Sequence, residues 1–546
     1  MLINCKRTRT TANTPFRATV VFALCIGLMI SASGPSRAQD AQVAATAQPL
    51  GPAIPPEIDT YKDDWPAPDG NLAATRATLG STIDASTIFD LDVAWTFTID
   101  AAAAYGGMTA TPLILGDRVY AQDMQSNVFA LDRATGKVLW QTRYDVPSIG
   151  PNGLAAGYGM LYGALGDTAE MFALDARTGD EIWRVKLSNN AGEGIDMAPI
   201  VYDNTVYVST VPGNSSGFYR GGTKGVFFAL DAATGKTLWQ WDTTTDNLWG
   251  NARVNSGGGL WYPPSVDEHG NIYFGTGNAG PYPGNDEFPN GSSRPGNNDY
   301  ASSIVSLNPR SGSLRWSYNA KPHDLFDLDF QNTPVIVSTN LHGATITLAI
   351  GSGKTGTVVA VNADSGEVVW KAAVGKHQND ELQAIPAGKS VEVYPGIFGG
   401  IETPIAYADG KVFVPVVNLP TKQTSTGYDA QSLDLTSGTG ELVALNVIDG
   451  SEAWTTRISQ SIFGGATVAN DIVFTSGLDG VFRAFNADTG DLLWSYRATA
   501  GFNAAPAIAG DMVIVAAAGY LAKTADSPRD VEPVNQLIAF KIGGMG

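Results

Sequence analysis

Three aspartates fall within six positions of the segment KPHDLFDLDFQN, residues 321–332: Asp324, Asp327 and Asp329, set among Leu325, Phe326, Leu328 and Phe330. On a surface loop they form a solvated turn. Buried, they form a chemical centre, because carboxylates packed away from water remain ionised only beside a cation or strong hydrogen-bond donors. Oxygen ligands of this kind suit a hard cation, and a carboxylate beside such a centre is a candidate general base. The lone histidines are weaker candidates. His377, in GKHQNDE, reads as a surface residue, and His323 reads equally as a donor supporting Asp327 or as a structural histidine.

The elements that must position these residues repeat. ALDRATGKVLW (130–140), ALDARTGDEIW (173–183), ALDAATGKTLW (229–239), SLNPRSGSLRW (306–316), AVNADSGEVVW (360–370), ALNVIDGSEAW (444–454) and AFNADTGDLLW (484–494) share one spacing. In all seven, Asp or Asn precedes the Trp by eight residues and Gly precedes it by four. A period of this kind is the mark of a repeat architecture. Each unit reads as a strand, a D-x-x-T-G turn with glycine at positive φ, and a strand ending in an indole. A bulky ring at one fixed place suits stacking between sheets. The fold class is therefore all-β: a propeller of four-stranded antiparallel sheets with Trp docking motifs. Trp95, in LDVAWTFTI, has no turn before it, and QLIAFKI (536–542) has no Trp after it. Pairing these two ends completes an eighth blade, so eight blades is the favoured count and seven the alternative. The Gly-, Pro- and Asn-rich insertions at 278–299 and 417–439 read as loops that shape an entrance.

Residues 1–38 combine Lys6, Arg7, Arg9 and Arg17 with the apolar run Ala18–Ser33 and small residues at Ser36 and Ala38. This is the pattern of a cleavable signal peptide, with an uncleaved anchor as the alternative. Residues 39–58 read as a flexible leader and 59–546 as a single propeller domain, which places the protein in the periplasm. Both cysteines, Cys5 and Cys25, fall in the signal, leaving no disulfide, thiolate metal site or C-x-x-C-H haem attachment beyond it. Removing the signal's five basic residues from the 34 of the chain leaves 29 against 53 acidic ones, a net charge of −24. That balance argues against nucleic acid and anionic membrane as partners.

The repeated A-x-D-x-x-T-G-x-x-x-W unit resembles the eight-bladed propeller of quinoprotein alcohol dehydrogenases, which bind pyrroloquinoline quinone (PQQ), from DWPAPDGNLAATR to QLIAFKI. The resemblance implies roles for residues outside the repeat. GGGLWYPPSVD (257–267) is similar to the stretch whose tryptophan lies under the quinone ring, here Trp261. IYFGTGN is similar to the segment whose Asn gives an oxygen to the metal, here Asn278. Within KPHDLFDLDFQN, Asp327 matches the catalytic base and Asp329 the extra carboxylate of lanthanide-using members, so the implied metal ligands are Asn278, Asp327 and Asp329. GSGKTGTVVAVNADSG places Lys354 where the family contacts the quinone oxygens. The implied activity is oxidation of a small-molecule or polymeric alcohol, with PQQ and Ca2+ or a lanthanide ion as cofactors. Electrons pass to an external cytochrome c or quinone, since no haem motif is present.

The chain also departs from the family. Val146 and Pro147 stand where adjacent cysteines would cap the quinone, and Asn152 stands where an Arg would contact it. The family's glutamate ligand, placed before G-x-R-G, aligns with Arg220 in FYRGGTKGV, and Glu402 in GGIETP aligns with an Asn that contacts the cofactor. The repeat is shared with non-catalytic propellers. The alternatives are therefore an envelope scaffold, or a metal-dependent propeller that binds a carbohydrate or polymer without quinone.

Overall fold

The computed structural model describes residues 49–341, 343–435, 437–522 and 532–544. The expected signal peptide and most of the leader lie outside them. Nearly every repeat unit forms the last two strands of an antiparallel four-stranded sheet, as in Leu113–Leu115, Arg118–Gln122, Val128–Asp132 and Val138–Thr142. Among the described residues there are seven four-stranded sheets and one five-stranded sheet; the fifth strand is the short parallel pair of Ala77–Thr78 with Val468–Ala469. One sheet joins the two ends of the described chain. Leu91–Thr98 pairs antiparallel with Gln536–Ile542, setting Trp95 opposite Ala539.

The turns explain the repeat. At Asp132 the carboxylate accepts hydrogen bonds from the Thr135 amide and hydroxyl, and the Asp132 carbonyl accepts the Gly136 N–H at 2.8 Å. Gly136 adopts φ +69°, a region that disfavours any residue with a Cβ. The same glycine serves the preceding sheet: a Cβ on it would lie 2.6 Å from the Trp95 ring. Across the seven units the corresponding clearance is 2.4–2.7 Å, so each indole lies directly on the backbone of the next turn. Each indole N–H also donates to the carbonyl of the residue after the turn's Asp or Asn, at 2.8–3.2 Å. Trp494 has no turn to meet and packs edge-on against Phe540 at 5.4 Å.

The N-terminal side is tied to the sheets at two places. Residues 50–58 are not a free leader. Leu50 and Gly51 donate backbone N–H groups to Asn204 Oδ1, and the Glu57 carboxylate accepts the Tyr158 and Gly159 amides. The chain thus attaches by Leu50, ahead of residue 59. Further on, Arg76 is buried and spends its N–H groups on Asp69 and on the carbonyls of Pro68, Ala466 and Pro506 together with two threonine hydroxyls. It ties the N-terminal segment to the last two sheets.

The Trp–Gly contact makes a direct prediction. Gly450→Ala puts a methyl 2.4 Å from the Trp370 ring at a φ of +70°, and its expected cost is about 1–3 kcal/mol. Trp370→Ala, which empties the slot, should cost about 3–5 kcal/mol. Urea denaturation followed by tryptophan fluorescence measures both, and a Gly450→Ala midpoint equal to wild type would refute the contact.

Candidate functional site

The acidic segment is buried: Asp324, Asp327 and Asp329 are 1%, 4% and 1% exposed. Leu325, Phe326 and Leu328 anchor it by packing with Ile385 and Val393. The three carboxylates then divide their work. Asp324 organises the turn, its two oxygens accepting the Phe326 and Leu328 amides at 2.9 Å each. Asp327 adopts φ +65°, an uncommon conformation for a side-chain-bearing residue and one that clusters at functional sites. Its Oδ2 meets Lys354 Nζ at 3.0 Å. Asp329 Oδ2 lies 3.4 Å from the same ammonium, while its Oδ1 accepts the Asn278 backbone N–H at 2.7 Å.

Two buried carboxylates facing one ammonium are one positive charge short. Burial raises the pKa of both, most strongly for Asp327, where Asp329 adds to the rise; Asp324 adds to that of Asp329, and Lys354 compensates only in part. On Lys354, burial works against the charge, but Asp327, Asp329 and Glu402 outweigh it and hold the ammonium protonated well above its ordinary range. Glu402 adds a third acid: burial pushes it up to about 7. Asn278 is fully buried with Oδ1 lacking any hydrogen-bond partner. A bound cation would supply the missing charge and use that oxygen, so the donor set fits a hard ion. Among the described residues, no three His, Cys, Asp or Glu side chains come together at metal-binding range. An ion here would therefore rest on two carboxylates and neutral oxygens.

Trp261, Asp327, Asp329, Lys354 and Glu402 line one cavity of about 350 Å³; Asn278 is not among its lining residues. Trp261 follows three glycines at positive φ, and a Cβ on Gly258 would collide with Thr243 Oγ1 at 2.2 Å. The ring presents a half-buried face to the cavity, with its N–H unpartnered. A flat aromatic wall beside a lysine fits a planar, anionic quinone. Lys354 is the basic side chain of the cavity. Asn152 lines an adjoining cavity of about 160 Å³, together with Glu402 and the already committed Arg76. The insertions do shape the opening: Tyr282 and Tyr428 come from 278–299 and 417–439.

Other side chains singled out in the sequence are engaged away from the cavity. Arg220 does not face the site; its guanidinium donates to the Ser216 carbonyl and hydroxyl, and the neighbouring Tyr219 turns inward instead. His323 Nδ1 meets the Gly296 carbonyl at 3.0 Å, so it supports the insertion and not Asp327. His377 pairs with Asp380 at 2.8 Å. Next to Val146 and Pro147, the 148–150 turn is clamped by Asp196, which the sequence did not flag. One oxygen of Asp196 accepts Ser148 Oγ, Ile149 N and Gly150 N at 2.8, 2.9 and 3.2 Å. A Cβ on Gly150 would lie 3.1 Å from the Trp261 ring, so this clamp sets one wall of the cavity.

The Glu402 shift has a sign that can be checked in the protein without cofactor. The folded chain holds the Glu402 proton up to about pH 7, whereas the ordinary value is 4.5. Stability tied to the neutral acid is therefore complete below pH 4.5 and is lost as pH rises through 7. Glu402→Gln should melt higher than wild type at pH 8 and together with it at pH 4. Parallel melting curves for the two proteins at both pH values would contradict the burial argument.

Comparison with known proteins identifies the family. The sequence profile for the PQQ glucose/ethanol/alcohol dehydrogenase β-propeller domain matches residues 65–162 and 188–378, more than half of the chain. A profile for the outer membrane protein assembly factor BamB matches residues 354–524. The chain is 26% identical over 526 residues to quinohemoprotein alcohol dehydrogenase ADH IIB of Pseudomonas putida, covering 84% of this chain and 73% of that protein. It is 26% identical over 530 residues to the putative dehydrogenase XoxF of Paracoccus denitrificans, covering 81% and 84%. Among solved structures, quinohemoprotein alcohol dehydrogenase from Comamonas testosteroni superposes with a TM-score of 0.76 at 22% identity, covering 89% of this chain and 81% of that one. A europium-containing methanol dehydrogenase superposes at 0.75 and 20% identity, covering 89% and 99%. These structural likenesses establish the shared propeller fold. The chain belongs to the PQQ-dependent glucose/ethanol/alcohol dehydrogenase β-propeller family.

Proposed function

We propose that the protein is an exported PQQ- and metal-dependent alcohol dehydrogenase whose eight sheets are the blades of one ring docked through their tryptophans. The observation that supports the site reading best is Asp327, held at positive φ against Lys354 in a cavity walled by Trp261. Asp327 takes the hydroxyl proton of the alcohol. Lys354, held charged by Asp327, Asp329 and Glu402, stabilises negative charge that develops on the acceptor side of the cavity. Asn278, Asp327 and Asp329 hold the cation, calcium or a lanthanide, and the aromatic walls exclude water from the reacting atoms. PQQ, bound against Trp261 within reach of Lys354, Glu402 and Asn152, would supply the acceptor for the hydride released by the carbinol carbon. The sequence carries no C-x-x-C-H motif, and electrons then leave to an external acceptor such as a cytochrome c or a quinone. The N-terminal signal pattern assigns this chemistry to the periplasm.

The match of residues 354–524 to an assembly-factor profile favours a second reading, a propeller that binds envelope proteins and has no redox role. Calorimetric titration of PQQ separates the two, run with calcium, with a light lanthanide and with neither. Metal-dependent binding that weakens in Asn278→Ala supports the dehydrogenase. Absence of binding with either ion supports the scaffold.

In the loaded enzyme, Asp327→Ala should lower kcat about 10²–10⁴-fold while leaving the melting temperature near wild type. Unchanged turnover with an artificial electron acceptor removes Asp327 from the mechanism.

A further inference from the structure

Resting on the dehydrogenase reading, we propose that the Tyr219 hydroxyl is an additional oxygen donor to the cation held by Asp327, Asp329 and Asn278. The position aligned with the family's glutamate ligand carries Arg220, yet the backbone turns that guanidinium outward to Ser216 and sends the preceding phenol into the cavity. Tyr219 adopts φ +50°, so the chain accepts local strain to aim the ring inward. Space is made for it: a Cβ on Gly280 would meet Tyr219 Cδ1 at 2.8 Å, and Tyr282 packs edge-on at 5.2 Å.

The decisive feature is a pair of orphaned oxygens. Tyr219 Oη and Asn278 Oδ1 are both buried without a hydrogen-bond partner. They come from different loops to the same carboxylates' surroundings: Asn278 donates its backbone N–H to Asp329, and Tyr219 lines the cavity together with Asp327 and Asp329. Leaving a buried polar atom unpaired costs its full desolvation. An amide oxygen and a phenol oxygen share one capacity, donation of a lone pair, and a hard cation beside Asp327 and Asp329 uses both at once. The shell then holds two carboxylates and two neutral oxygens. A neutral phenol thus takes up the vacancy left by the missing carboxylate, and Arg220, whose charge would repel the ion, is kept out.

Terbium(III) tests this without turnover. The full chain, with and without PQQ, is titrated with Tb3+ while aromatic-sensitised emission is followed, and emission lifetimes in H2O and D2O count the waters on the bound ion. Tyr219→Phe keeps the ring and removes the oxygen. It should add one water to the ion and weaken its Kd about tenfold, with the melting temperature of the metal-free chain unchanged. Asn278→Ala should shift both readouts in the same direction. If Tyr219→Phe leaves hydration number and Kd at wild-type values while Asn278→Ala changes them, the cation site stands and Tyr219 is not a ligand. If wild type binds no Tb3+ with or without PQQ, the cation centre of the dehydrogenase reading falls, and this proposal falls with it.

Discussion

An indole lying on the backbone of a glycine turn is the contact on which the rest of the molecule depends. It recurs from Trp95 on Gly136 to Trp454 on Gly490, each time with an N–H bond to the following turn. The contact has two halves that constrain each other. The turn needs glycine for its positive φ, and the indole needs glycine because any side chain would occupy its place. Seven such contacts each set one sheet against the next by one packed ring and one hydrogen bond. Leu91–Thr98 pairs with Gln536–Ile542, so one sheet combines an early strand with the last strand of the described residues.

A scaffold so constrained can carry an electrostatically costly site. Asp327 and Asp329 are buried against one ammonium, with Glu402 nearby and Asn278 Oδ1 unpaired. In a chain selected for stability alone, such an arrangement is a liability, because each uncompensated charge resists burial. A bound cation would supply the missing positive charge. Family membership and site electrostatics therefore point the same way, though they rest on separate observations.

The departures from the family concentrate on one side of the cavity. Where adjacent cysteines would cap the quinone, the 148–150 turn is held by three hydrogen bonds to one oxygen of Asp196. Burial pushes that carboxyl up to about 6, and its second oxygen is unpartnered. A carboxylate clamp does by hydrogen bonding what a covalent cap would do by constraint, in a chain whose cysteines both precede residue 39.

The sequence by itself determined what periodicity and local chemistry control. Seven copies of one turn and one tryptophan fix strand pairing and turn conformation, because a glycine four residues before each Trp leaves few alternatives. The same repeat made Trp261 stand out as a tryptophan without a turn, and three aspartates among apolar residues marked the acidic segment. Only the tertiary structure decided which side chains face inward where no period applies. Asp324 went to the backbone while Asp327 and Asp329 went to Lys354. Tyr219 replaced Arg220 by a difference of one residue, and Asp196 came to clamp the 148–150 turn of the cavity wall from a segment with no distinguishing composition. In a strand, alternation assigns each side chain to a face. In an irregular loop, a single residue at positive φ redirects everything after it, and that rotation is set by what packs around the loop.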